Sequence, residues 1–196
     1  MKTRKAAITR KTAETDILLE FGLDGSGKWQ IETGIAHFDH LLSGFTRHGV
    51  FDLNLKATGD DPHHLIEDIA ICLGKALLET VGDGRGITRT ADAMVPMDEA
   101  LATVVVDIGG RGYCVQELDF EENDMPGFTT DLIRHFLESF AQEARLNLHA
   151  HIPYGTNDHH KAEALFKALG RALDKATTLD ARLAGKIPST KNRLER

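Results

Sequence analysis

The chain carries one metal-ligand pattern twice: His63-His64-x-x-Glu67 in DDPHHLIED and His159-His160-x-x-Glu163 in TNDHHKAEA. Neutral imidazole and carboxylate together suit a divalent transition ion. The likeness extends beyond the ligands. Gly59 precedes the first pair as Gly155 precedes the second, and Leu73-Gly74-Lys75-Ala76-Leu77 returns as Leu169-Gly170-Arg171-Ala172-Leu173, all at an offset of 96 in a chain of 196 residues. Such a repeat marks a duplicated unit that builds its metal sites in pairs.

Helical geometry constrains how the ligands divide. Adjacent residues on a helix point about 100° apart, so His63 and His64 serve two different ions more naturally than one. Glu67 lies four residues after His63 and three after His64, and spacing alone does not choose between them. Each half then offers ligands to two sites, and complete sites need groups from both halves or from neighbouring subunits. Aligning Asp39-His40-Leu41-Leu42-Ser43-Gly44-Phe45 with Arg134-His135-Phe136-Leu137-Glu138-Ser139-Phe140 superimposes His40 on His135, with the paired histidines 23 and 24 residues further on. Six His and two Glu divide into two sites of three His and one Glu. His37, His149 and His151 have no repeat partner and are read as structural.

The elements that must position these groups follow from hydrophobic periodicity. Residues 4–10 and 16–23 read as strands, and the turn Asp24-Gly25-Ser26-Gly27 leads to another at Trp29 to Glu32, together suggesting a hairpin. Phe38, Leu41, Leu42 and Phe45 fall at helical spacing to His48, with Gly49 as the stop. A strand from Val50 to Ala57 follows. Asp60 or Asp61 then caps a helix with Pro62 in its first turn, a buried stripe of Ile66, Ile69, Leu73 and Leu77, and an end near Val81. The second half gives strands near 100–107 and 113–120, a helix over Thr130 to Ala144, a strand over Leu146 to Ile152 and a helix over Asp158 to Thr178. This order predicts an α+β fold, a two-layer sandwich built from two similar halves, each a mainly antiparallel sheet with two helices. The halves, 1–86 and 87–196, meet at the Gly-rich stretch Gly82 to Gly86 and together form one compact unit.

Composition narrows the function. With 41% hydrophobic and 27% charged residues, the chain has the make-up of a globular protein. A net charge of -7 with scattered Lys and Arg argues against a broad nucleic-acid surface. The basic stretches Met1 to Arg10 and Lys186 to Arg196 read as solvated ends. Cys72 and Cys114 stand alone and far apart, which fits a reducing cytoplasm. No run of 18 or more apolar residues and no signal-type leader occurs, so neither a membrane partner nor export is expected.

Several segments in order along the chain resemble imidazoleglycerol-phosphate dehydratase. They are ThrGlyIleAlaHisPheAspHis (33–40), ArgHisGly (47–49), HisHisLeuIleGluAsp (63–68), ProMetAspGluAlaLeu (96–101), GlyGlyArg (109–111), the second His-His-x-x-Glu with Phe166-Lys167, and ProSerThrLys (188–191). The resemblance implies an enzyme of histidine biosynthesis that converts imidazole glycerol phosphate to imidazole acetol phosphate with loss of water. It implies two Mn2+ per subunit and a homo-oligomer of 24 subunits built from trimers, with metal sites at subunit interfaces. Three features depart from the family pattern: a loop three residues shorter between Gly59 and His63, His37 in place of an aromatic residue, and Asn192 in place of glycine.

The reaction is demanding because the C2 proton of the substrate has no neighbouring carbonyl. A metal-bound imidazolate could expel the C3 hydroxyl, leaving a diazafulvene-like species whose C2 proton is acidic, and the resulting enol tautomerises to the ketone. Proton transfer needs groups beyond the ligands. Glu14 is the first candidate, followed by His48 and Asp98, with Glu163 counted both as ligand and as catalytic. By the resemblance, Arg89, Arg111, Lys167, Ser189 and Lys191 converge on the phosphate of a small phosphorylated imidazole substrate. The ligand set by itself also fits a dinuclear metallohydrolase or a non-catalytic metal-assembled shell protein.

Overall fold

The computed structural model describes residues 4–121, 125, 128–183 and 185–195, and within them the chain forms eight strands and four long helices. In order these are β1 (Lys5–Lys11), β2 (Thr15–Gly22), β3 (Lys28–Glu32), α1 (Ala36–His48), β4 (Asp52–Gly59), α2 (Pro62–Val81), β5 (Thr90–Met97), β6 (Ala100–Asp107), β7 (Tyr113–Glu117), α3 (Thr130–Glu143), β8 (Asn147–Tyr154) and α4 (Asp158–Thr177). The first four strands make one sheet in the order β1-β2-β4-β3, and the last four repeat that order as β5-β6-β8-β7. The fold is therefore α+β with duplicated halves. Met1 to Thr3 and Arg196, at the tips of the two basic ends, lie outside the described residues.

The apolar alternation of β2 and β4 turns Ile17, Leu19, Phe21, Leu53, Leu55 and Ala57 to one buried face, and α2 packs on it. In the second half α4 lies on β5 and β6 in the same way. Helix α1 then packs on α4, and α2 on α3, so the two sheet-and-helix layers stack helix to helix. Phe38, Phe136 and Phe166 meet in that middle, with ring centroids 5.2–6.5 Å apart. Burying each such ring contributes on the order of 2 kcal/mol.

Two expectations from the sequence need correction. The segments around Asp24–Gly27 are not a hairpin: β2 pairs with β1 and β4, while β3 lies beyond β4 and runs parallel to it. The cause is α1, which leaves the end of β3 and returns the chain in the same direction, as a crossover requires. The turn itself is held by Asp52, whose Oδ1 accepts the N–H groups of Ser26 (2.8 Å) and Lys28 (3.2 Å). Secondly, residues 186–195 are not a solvated end. They fold back on the second half, where Gly109 O accepts the Glu195 N–H at 3.1 Å and Pro188 O accepts Arg89 Nη1 at 2.9 Å. Strand β5 had no counterpart among the elements expected from the sequence. It is an outer strand with a single fully buried residue, Ala93, whose inward positions are otherwise only part-buried, and Pro96 on its exposed face is a residue that edge strands tolerate.

The repeated Leu-Gly of the sequence has a packing role. A Cβ on Gly170 of α4 would lie 2.3 Å from the carbonyl oxygen of Phe45 and 3.0 Å from the Gly49 nitrogen, both on the backbone at α1. A Cβ on Gly74 of α2 would lie 2.8 Å from Phe140 O and 2.9 Å from Ala144 N. These are equivalent pairs in the two halves, and each lets backbone approach backbone where helices cross. Gly170→Ala gains about 0.5–1 kcal/mol of helix propensity but should lose about 1–3 kcal/mol to the collision, because the atom struck is main chain and cannot turn aside. Thermal melting of the full chain should show a net loss of stability, larger than for Gly74→Ala.

Candidate metal centre

Both His-His pairs sit in the first turn of a long helix, directly after its cap. Asp61 caps α2, accepting the His63 N–H on Oδ1 at 2.7 Å, and Asn157 caps α4, accepting the N–H groups of His159 (2.9 Å) and His160 (3.2 Å). Such caps contribute about 1 kcal/mol and fix where the first turn begins, hence where each imidazole points. Within each pair the rings diverge, with centroids 6.1 Å apart and planes at 80° for His63 and His64 and 63° for His159 and His160.

One donor set closes within the chain. The ligand atoms of His40, His159 and Glu163 lie within 4.8 Å of one another. Glu163 Oε2 is 3.1 Å from His40 Nε2 and 3.2 Å from His159 Nε2, and the two rings stack at 5.5 Å with planes 6° apart. His40 comes from α1 in the first half, and the others from α4 in the second. Here the glutamate pairs with the histidine four residues before it, a choice that spacing left open. Burial works against ionisation of Glu163, but hydrogen bonds from Lys167 and His40 outweigh it and hold the carboxyl below its usual range. Lys167 Nζ reaches Glu163 Oε1 at 2.7 Å. Two imidazoles and a carboxylate converging on one point fit a divalent transition ion and leave coordination positions over.

The repeat-related set is more open. His63 and His135 approach to 4.5 Å between centroids, while His135 Nε2 lies 3.2 Å from Asp131 and Glu67 faces a groove formed with Ile71, Glu138, Ser139, Gln142 and Glu143. His64 and His160 stand apart from both clusters. His64 Nδ1 lies 3.1 Å from Asp60 and 4.0 Å from Glu14, and the Asp60 hydrogen bond raises its pKa. His160 Nδ1 lies 2.8 Å from Glu99, and its Nε2 lies 3.7 Å from Asp98. Glu99 was not among the groups the sequence singled out. The signal was its position, immediately before the second strand of its half, as Glu14 is in the other. His37, without a repeat partner, nevertheless packs edge-on against His159 at 5.0 Å.

The cationic candidates fall in two places. Arg89, Arg111, Ser189 and Lys191 line one cavity of about 640 Å³ with Asp107, Asn147, Arg193 and Glu195. Within it Arg89 directs its donors to Asp107 (2.7 and 3.1 Å) and Pro188 O, whereas Arg111 is exposed and touches Glu195 at 3.3 Å. Lys191 also pairs with Glu195, at 3.0 Å. Asn192 takes a φ of 52°, a left-handed conformation that asparagine tolerates. Lys167 lies instead at the metal cluster. His48, at the end of α1, has its pKa lowered by burial and by the charges of Lys167 and Arg171.

Comparison with known proteins places this geometry. A family model described as imidazoleglycerol-phosphate dehydratase matches residues 33–173. Proteins of that name from Dehalococcoides mccartyi (strain ATCC BAA-2266 / KCTC 15142 / 195) and Bacillus subtilis (strain 168) are 61% and 54% identical. The first match covers 100% of both chains, the second 97% of this chain and 100% of the relative. The crystal structure of IGPD from Pyrococcus furiosus in complex with (S)-C348 has a TM-score of 0.84 at 37% identity, covering 95% of this chain and 100% of that one. The Staphylococcus aureus structure has a TM-score of 0.83 at 36% identity, covering 90% and 99%.

Replacing Glu163 by Gln removes the charge on which His40, His159 and Lys167 converge. The variant should fold and yet retain a divalent ion about tenfold or more weakly in chelator competition, and wild-type retention would remove Glu163 from the ligand set.

Proposed function

The chain belongs to the imidazoleglycerol-phosphate dehydratase family, and from that premise we propose how its own residues carry the reaction. The enzyme is a hydro-lyase of histidine biosynthesis that removes water from imidazole glycerol phosphate to give imidazole acetol phosphate. The family is metal-dependent. A dinuclear hydrolase or a metal-assembled shell, both open on the ligands alone, is not favoured by a match over the whole chain. The observation that carries the residue assignment is the convergence of His40, His159 and Glu163 from two halves of the sequence.

We assign two manganese ions to each subunit. His40, His159 and Glu163 with one His64 form the first ligand set, and His63, His135 and Glu67 with one His160 form the second. Because His64 and His160 turn away from the clusters of their own chain, the fourth ligand of each set is supplied by a neighbouring subunit, in keeping with a shell of 24 subunits built from trimers. When bound, the ions supply Lewis acidity toward the nitrogens of the substrate imidazole. Free Cys72 and Cys114 fit a reducing cytoplasm.

The chain's own groups then divide the work. Glu14, half exposed and in the turn before β2, is free to move a proton at the C2 carbon, with His48 and Asp98 as further proton-transfer groups. Arg111, Ser189 and Lys191 hold the phosphate through charge-assisted hydrogen bonds, and Arg89 fixes the wall of their cavity by pinning Pro188. Lys167 joins them from the metal side. Since Lys167 and that cavity lie apart in one subunit, a substrate spanning both bridges two subunits.

Manganese-loaded protein incubated with imidazole glycerol phosphate should form the enolisable ketone, and chelation should abolish turnover; full activity after chelation would sink the reading. Arg111→Ala should raise KM by ~10- to 100-fold, the worth of a hydrogen bond to a charged group, and an unchanged KM would take Arg111 out of the site.

A further inference from the structure

The two halves hold their second histidines by different means. In the first, Asp60, four residues before His64, contacts its Nδ1 at 3.1 Å. The repeat places Thr156 at the matching position before His160, and threonine has no carboxylate to offer. Glu99 reaches in instead, from the turn between β5 and β6. Its Oε1 accepts the N–H groups of Thr156 (3.1 Å) and Asn157 (2.8 Å), which fixes the carboxylate, and its Oε2 meets His160 Nδ1 at 2.8 Å. Glu14 holds the equivalent place in the first half, yet its nearest carboxylate oxygen is 4.0 Å from His64 Nδ1, because Asp60 already occupies that contact.

We propose that Glu99 is the positioning residue for His160: it takes the Nδ1–H of the imidazole and so fixes the tautomer whose Nε2 lone pair is presented to a divalent ion. A carboxylate behind a ligand imidazole both orients the ring and raises its basicity. Asp60 performs this duty for His64. The division explains why one of two equivalent glutamates is tied down while the other, Glu14, is left for proton transfer. The duplicated scaffold thereby yields one clamp and one mobile carboxylate from the same position. This inference rests on the reading of His160 as a ligand.

Glu99→Gln tests it with little change of shape. The amide oxygen can still accept from Thr156 and Asn157, but its NH2 now faces His160 Nδ1, which must accept, so the ring proton moves to Nε2 and blocks the lone pair. Metal-stripped full-length protein is titrated with manganese while free ion is followed by electron paramagnetic resonance, and the metal-free melting temperature is recorded alongside. The expected result is one class of sites weakened about 10- to 100-fold, the other class unchanged, and an unaltered metal-free melting temperature. His160→Gln should lose the same class. If His160→Gln leaves both classes intact, the ligand assignment fails; if it loses one while Glu99→Gln keeps both at wild-type affinity, the positioning role fails. Equal weakening of both classes with a lower metal-free melting temperature also overturns it, since Glu99 would then only brace the corner before α4.

Discussion

The close approach of α4 to α1 at Gly170 sets the geometry of the candidate metal cluster of His40, His159 and Glu163. His40 lies five residues before Phe45 on α1, and Glu163 seven before Gly170 on α4. At the helical rise of about 1.5 Å per residue, the donors sit roughly 7 to 10 Å from the crossing, on rigid arms with little room to compensate. A side chain at residue 170 would push the main chains apart, and the stacked His40 and His159 rings would open with them. Gly74 and Phe140 repeat the arrangement beneath His63 and His135. The histidine clusters are paired because the crossings are paired.

Much of this was legible in the residues themselves. Helical spacing marked α1 to α4, the offset between the two His-His-x-x-Glu segments exposed the duplication, and aligning the halves found His40 and His135. What stayed hidden depends on tertiary placement. The crossover through α1 sends β4 between β2 and β3, a rearrangement that local turn chemistry around Asp24–Gly27 does not encode. Glu99 was missed because its partners are 57 to 61 residues away. The connection from β7 to α3 is also longer than that from β3 to α1, so the halves are offset by 85 residues at Glu14 and Glu99 but by 96 at the His-His pairs, and a fixed offset passes over it. Residues 186–195 read as a charged tail, since nothing in their composition announces that Gly109 and Arg89 will capture their backbone.

The halves share topology and differ in chemistry. Lys167, bonded to Glu163, has Ile71 as its counterpart beside Glu67, so the two clusters carry different charge. Lys161, buried against Asp158 at 3.2 Å, stands where the first half has Leu65. A buried pair of this kind adds little to stability over an apolar residue, although removing one partner is costly. These substitutions leave the backbone plan intact while making the surroundings of the two histidine clusters unequal.

The proline in β5 bears on how copies of the chain meet. Both sheets end in strands whose outward peptide groups could pair with another chain, the usual route to uncontrolled growth. At β5 the ring of Pro96 removes one donor from that row, and at β1 the charged ends Lys5 and Lys11 flank it. Extension of either sheet along these borders is thus disfavoured. On the assembly proposed above, self-contact would run through the helix starts and loop corners that carry His64 and His160, and such contacts close on themselves where sheet extension would grow a fibre.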